Sequence, residues 1–243
     1  MSDSYWVHRN GDKATFQSAS PYLNDFTEYG VCVSDKSVPD AELGGSFTKC
    51  WRRDSKTGQT FIVKYMPQNM VDSERAALIL AAQLELPCAK EYTAWQQPNS
   101  IAIENLTTHG KMLLPLGGKL KYGYSFRAVQ GLFSQMGVAQ CELILRTILF
   151  DAVVANYDRY ENGSNWARMA VEANGSLSFH VSPMYDFNLA HRGTDNPYLR
   201  SIAETGIAGS SAKAILDEWQ PVIAAFDDSC WLKNLTTLYK LVS

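Results

Sequence analysis

Asn156-Tyr157-Asp158-Arg159-Tyr160-Glu161-Asn162-Gly163-Ser164-Asn165-Trp166 is a polar loop that follows the most apolar run of the chain, Leu143–Ala155. That run is interrupted by Arg146 and Asp151. A segment apolar nearly all round predicts a buried helix, here over Gln140–Ala155. Such a helix is a rigid base from which a loop can hold a carboxylate in place. Further along comes a second polar stretch, Pro183-Met184-Tyr185-Asp186-Phe187-Asn188. Between the two, Arg168–Ala173 and Ser176–Val181 flank Asn174-Gly175, which predicts a hairpin closed by a two-residue turn. Ala173 then pairs with Ser176, and by antiparallel register Asn165 opposes Met184. The loop and Asp186 are thereby returned to one place. Asp158, Asn165 and Asp186 together offer the few oxygen ligands that Mg2+ takes beside water and phosphate.

Working outward, Gly44-Gly45-Ser46-Phe47-Thr48-Lys49 opens a first hairpin, with strands predicted over Phe47–Arg53 and Thr60–Met66. Glycines permit close backbone approach, so N–H groups there can meet phosphate oxygens. Register across the Asp54–Gly58 loop places Lys64 roughly opposite Thr48. A helix follows, capped by Asp72 or Ser73, with an apolar stripe of Ala76, Ala77, Ile79, Leu80 and Leu84, and ended by Pro87. Glu74 falls in its first turn, where it can pair with Lys64 and fix the ammonium for phosphate. Ala89–Trp95 and Ile101–Leu106 are further strand candidates. A Gly-rich connection (Gly110, Gly117, Gly118, Gly123) leads to helices over Phe126–Gln135, Gln140–Ala155, Ala212–Phe226 and Trp231–Leu241. The expected organisation is a strand-rich lobe, residues 1–106, and a helix-rich lobe, residues 107–243.

Composition narrows the function. The 243 residues are 46% hydrophobic and 19% charged, which excludes disorder and a coiled coil. A net charge of −3 argues against a protein that coats nucleic acid or lies on an anionic membrane. The five cysteines are scattered without a C-x-x-C pair, as expected of reduced thiols in the cytoplasm. The opening MSDSYWVHRN has no apolar run, so no secretory signal is expected. The four histidines lack metal-ligand spacing. Taken singly, the candidate residues have plainer readings: Lys64 as an edge-strand lysine, Glu74 as a first-turn acid, Gly44-Gly45 as an ordinary turn, Asp158 as a solvated loop residue. Their combination points to phosphoryl transfer.

The run Asn156-x-Asp158-Arg159…Asn165-Trp166, followed by Pro183-x-Tyr185-Asp186, resembles the HipA-like serine/threonine kinases, an atypical branch of the protein-kinase fold. The likeness extends upstream through Gly44–Lys49, Ile62-Val63-Lys64, Ser73-Glu74-Arg75 and Leu86-Pro87-Cys88-Ala89. The resemblance implies an α+β, two-lobed kinase-like fold using ATP and Mg2+. It assigns Asp158 as the catalytic residue that orients the acceptor hydroxyl, and Asn165 and Asp186 as Mg2+ ligands. Gly44, Gly45, Ser46, Lys49 and Lys64 would meet the nucleotide phosphates, with Glu74 as the partner of Lys64. Ile101–Leu106 would be the adenine hinge, through Glu104 and Leu106. It further implies a protein Ser/Thr substrate, an antitoxin-like partner protein, and autophosphorylation at Ser46 or Thr48. Two departures stand out: Tyr160 replaces the family's usual His, and the step from Asp158 to Asn165 is two residues longer. Asn162 is therefore the alternative to Asn165. The altered loop also leaves open a pseudokinase that binds nucleotide or a partner without turnover, and the same chemistry directed at a small molecule or lipid headgroup.

Overall fold

The computed structural model describes residues 6–7, 13–14, 47–54, 57, 59–107, 110–115, 137–156, 158–159, 162–190 and 210–242. Gly44, Gly45, Ser46, Tyr160 and the helix expected over Phe126–Gln135 lie outside them. The described residues form a mixed α+β fold. A short antiparallel pair, β1 (Trp6–Val7) and β2 (Lys13–Ala14), comes first in the chain. Then follow β3 (Thr48–Arg53), β4 (Thr60–Tyr65), helix α1 (Gln68–Gln83), β5 (Ser100–Glu104), β6 (Lys111–Pro115), helix α2 (Val138–Val154), β7 (Ala167–Ala173), β8 (Ser176–Val181), helix α3 (Ser210–Ala225) and helix α4 (Ser229–Val242). Contacts divide the chain into two units. One comprises Met1–Val71, Ala89–Met112 and Ala170–Ser178; the other comprises Asp72–Cys88, Leu113–Met169 and Phe179–Ser243. No helix among the described residues is long and apolar enough to cross a membrane.

In the first unit, Thr-Phe-Ile-Val-Lys-Tyr of β4 is rich in β-branched and aromatic residues, which fit a pleated, half-buried surface. It becomes the middle strand of an antiparallel sheet ordered β3-β4-β5. Phe61, Val63 and Ala102 are buried on one face, with Cys50, Tyr92 and Trp95 packed against them. The Phe61 and Tyr92 rings stack with centroids 4.3 Å apart. Tyr92 donates to Asp54; that bond, with burial, pushes its hydroxyl pKa up to about 12. The hairpin register differs by one residue from expectation. Lys64 pairs with Lys49, and Thr48 with Tyr65. A one-residue slip moves a side chain to the other face, so Lys49 rather than Thr48 shares the Lys64 face. The segment expected as a strand over Ala89–Trp95 is reduced to one isolated bridge, Glu91 with Ile103, and Cys88 just before it bridges Met184.

Helix α1 begins at Gln68, earlier than the expected caps Asp72 and Ser73. The Pro67 carbonyl accepts from the N–H groups of Met70 at 2.9 Å and Val71 at 3.2 Å. Proline's fixed φ is already set for a first helical turn, and that outweighs a good capping side chain downstream. Glu74 consequently lies in the second turn. The helix ends with Glu85 in the left-handed region (φ 55°) and Leu86 donating back to the Ala81 carbonyl at 2.9 Å.

In the second unit, α2, α3 and α4 pack together. Phe150 meets Phe187 and Trp219 edge-to-face, with centroids 5.6 and 6.5 Å away. Buried Asn234 of α4 donates from Nδ2 to the Val153 carbonyl at 2.9 Å. At the surface, Arg146 of α2 grips Glu218 of α3 with two bonds of 3.0 and 2.9 Å. That pairing raises the Arg146 pKa and lowers that of Glu218. The side chain of Gln140, in the first turn of α2, accepts from the Val181 N–H at 2.7 Å and ties the end of β8 to the helix.

The hairpin β7–β8 closes as the sequence predicts. Asn174 (φ 53°) and Gly175 (φ 73°) are both left-handed, the requirement of a type I′ turn. The Ser182 N–H donates to the Ala167 carbonyl at 3.1 Å, in the expected register. Strand β6 is an addition, since the sheet order is β6-β7-β8. A Cβ built on Gly175 has nothing within 4 Å, so the cost of adding one is backbone strain alone. Gly175→Ala is expected to destabilise the protein by about 1–2 kcal/mol, read from the urea denaturation midpoint.

Candidate active site

Asp151 is wholly buried in the last turn of α2. A carboxylate there needs a partner, because an isolated buried charge costs far more than it returns. The partner is Arg159, also buried, whose Nε meets Asp151 Oδ2 at 2.7 Å. The other guanidinium nitrogens reach two different segments. Nη1 donates to the Asn165 carbonyl at 2.5 Å, and Nη2 to the Tyr185 carbonyl at 2.9 Å. The flat cation lies 5.8 Å from the Trp166 ring centroid, 5.9 Å from that of Tyr185 and 5.2 Å from that of Phe187. These aromatic faces are favourable surroundings for a desolvated guanidinium. One arginine thus joins the end of α2, the loop carrying Asn165 and the segment carrying Asp186.

The loop is built on the same anchor. Helix α2 stops with Ala155 in the left-handed region (φ 53°), and the Asn156 N–H donates to the Asp151 carbonyl at 2.9 Å. Asp158 is half-buried beside Arg159. Its carbonyl accepts from the Asn162 N–H at 2.7 Å, and the Asn162 carbonyl accepts from the Asn165 N–H at 3.0 Å. A short 3-10 turn runs over Gly163–Asn165. Asn165 is 4% exposed, and its Nδ2 donates to Asp158 Oδ2 at 2.8 Å. Asn162 is exposed. The Asn165 amide thus meets the Asp158 carboxylate.

With its nitrogen given to Asp158, the Asn165 amide keeps its oxygen as an acceptor. Asp186 is half-buried and sits at φ 63°, an uncommon backbone for a residue with a side chain. Carboxylates and an amide oxygen are the hard donors Mg2+ takes alongside phosphate, so by chemistry Asp158, Asn165 and Asp186 fit that ion. Among the described residues no group of three or more His, Cys, Asp and Glu could hold a metal by itself.

The other expected residues lie as follows. Lys64 is 5% exposed in the middle strand, so it is not an edge-strand lysine. Lys49 stands directly opposite it on the same face. Glu74 is buried in α1. Glu104 closes β5: its N–H donates to the Lys90 carbonyl at 2.8 Å, and its carboxylate accepts from the Lys90 N–H at 2.9 Å. Because a strand residue turns its N–H and C=O to the same edge, the Glu104 carbonyl faces the edge away from β4. The Asn105 N–H, in contrast, turns to the Thr60 carbonyl at 3.0 Å.

Sequence reasoning passes over Asp151 and gives no role to Arg159 or Asn156. The available signal is a carboxylate inside an otherwise apolar helix, with an arginine shortly after it. Arg159→Met and Asp151→Leu are each expected to cost about 3–5 kcal/mol, because each strands a buried charge. The double variant is expected to lose clearly less than the two losses combined, measured by chemical denaturation.

No family model matches the chain, and no curated protein sequence matches it. Solved structures do. The Helicobacter pylori proinflammatory kinase CtkA superposes with a TM-score of 0.51 at 14% identity, over 81% of this chain and 91% of that one. HipA of the Shewanella oneidensis MR-1 toxin–antitoxin system, solved with HipB and its operator DNA, gives a TM-score of 0.51 at 14% identity, over 93% of this chain and 70% of that one. The likeness is one of fold: this chain folds like CtkA and HipA.

Proposed function

We propose that this chain is an ATP- and Mg2+-dependent phosphotransferase, a two-lobed serine/threonine kinase of HipA-like type. The observation that carries the reading is the 2.8 Å bond between Asn165 and Asp158, on a loop that Arg159 ties to the Tyr185 carbonyl next to Asp186. It sits in a fold like those of the kinase CtkA and of HipA from a toxin–antitoxin system.

In this mechanism Asp158 orients the acceptor hydroxyl and takes its proton as the oxygen bonds to the γ-phosphorus. The bond from that phosphorus to the bridging oxygen breaks, and ADP leaves with the electron pair. Asn165 Oδ1 and the Asp186 carboxylate would hold Mg2+, which when bound neutralises charge on the phosphates. Lys64 and Lys49 would add positive charge at the phosphates from one sheet face. Glu74 would balance Lys64. Gly44, Gly45 and Ser46 would cover the phosphates through backbone N–H groups. The Glu104 carbonyl and the Leu106 N–H would serve adenine as acceptor and donor. Positioning and charge supply most of the rate in phosphoryl transfer, so a small set of groups suffices.

The partner proposed is an antitoxin-like protein, supported by the HipB bound to the Shewanella HipA. The acceptor proposed is a protein Ser or Thr, and the setting is the cytoplasm. A second reading, a nucleotide-binding pseudokinase, is favoured by Tyr160 in place of the family's histidine and by the lengthened loop before Asn165.

Transfer from γ-labelled ATP to proteins of a cell lysate separates these readings. Wild type is expected to transfer label, and Asp158→Asn and Asp186→Asn to fall by at least about a hundredfold with unchanged circular dichroism. Stabilisation by Mg·ATP without transfer would establish the pseudokinase reading. Neither binding nor transfer would overturn both.

A further inference from the structure

Asn156 is wholly buried where the chain leaves α2, one residue beyond left-handed Ala155. Its Nδ2 lies 3.2 Å from Asp151 Oδ1 and 3.4 Å from the backbone carbonyl of Asp186. Both neighbours are acceptors. The amide orientation is therefore fixed, since turning it over would aim Oδ1 at two oxygens. In this orientation Oδ1 is buried with no hydrogen-bond partner among the described residues. An unsatisfied buried amide oxygen is costly, and a side chain that merely filled this space would be apolar. The position retains an amide for its donor.

The donor's distant target explains why. Asp186 is held at φ 63°. Non-glycine residues persist in that region only where their surroundings impose it. Tyr185, just before it, is held through its carbonyl by Arg159, and Asp186 through its own carbonyl by Asn156. Both arms return to one carboxylate: Asp151 Oδ2 takes Arg159 and Oδ1 takes Asn156.

We propose that Asn156 is a positioning residue that sets the affinity for the divalent ion. By holding the Asp186 carbonyl against the Asp151 anchor, it fixes the backbone that aims the Asp186 carboxylate at the metal. The proposal rests on Asp186 being a metal ligand, as argued above. Outer-shell partners of this kind typically change metal affinity by about 10–100-fold when removed.

The test is Mn2+ binding to the full chain, followed by electron paramagnetic resonance with a saturating non-hydrolysable ATP analogue. Asn156→Ala is expected to weaken Mn2+ binding by at least about tenfold. Asn234→Ala is the matched control. It removes another buried amide whose Nδ2 donates to a backbone carbonyl in the same unit, at 2.9 Å from the Val153 oxygen, and it is expected to lower the melting temperature without changing Mn2+ affinity. If Asn156→Ala does not fold, Asn156→Ser is read in the same titration, and binding weaker than the control supports the proposal. Asn156 variants that bind Mn2+ like the control would overturn the positioning role alone. Wild type that binds no Mn2+ would overturn it together with the metal reading of Asp186.

Discussion

A guanidinium and a carboxylate buried side by side, Arg159 and Asp151, are expensive to take out of water, and their attraction repays that only with good geometry and further hydrogen bonds. Here both conditions hold. The pair meets at 2.7 Å, Arg159 has carbonyl acceptors on two other segments, and Asp151 receives a second donor from Asn156. A hydrophobic pair of the same volume could fill the space, but it could not bond to the carbonyls of Asn165 and Tyr185 or receive the Asn156 amide. What the ion pair supplies is specificity of position for three segments far apart in the chain. The polar loop includes a 3-10 turn over Gly163–Asn165, and these bonds tie it to the end of α2 and to the Tyr185 segment.

The sheet of the first unit poses a complementary problem. Lys64 is buried in a strand flanked on both sides, and Lys49 stands opposite it. Lysine is rarely so buried, and two on one face oppose each other. Such a pair needs compensating contacts, and both lysines make further polar or electrostatic ones. In the second unit, Asp158 and Asn165 meet on a loop that Arg159 ties to the end of α2.

The elements that sequence reading captures best are those with strong local signals. Asn174-Gly175 dictates its turn, the apolar run up to Ala155 dictates α2, and the Thr60–Tyr65 strand declares itself by β-branched and aromatic content. Misreadings arise where a local signal competes with a stronger one or is too short to see. Asp72 and Ser73 are good caps, yet Pro67 starts the helix sooner. Lys111–Pro115 is hidden among glycines and becomes a strand by adding to the sheet of β7 and β8. A one-residue offset in the first hairpin exchanges Thr48 for Lys49 beside Lys64. At the site, the pairing of Asp158 with Asn165 is foreshadowed by their shared loop. The roles of Asp151, Arg159 and Asn156 depend on contacts between a helix end and segments up to 30 residues away, which no periodicity encodes.

The depth of the Asp151–Arg159 pair separates two kinds of electrostatics in one unit. Arg146 and Glu218 join α2 to α3 at the surface, within reach of dissolved ions that screen charge over roughly 8–10 Å. The anchor beneath the loop is sealed from the solution. Rising ionic strength therefore slackens the tie between the helices while the loop's footing keeps its full strength, so salt acts on the outer frame and spares the centre.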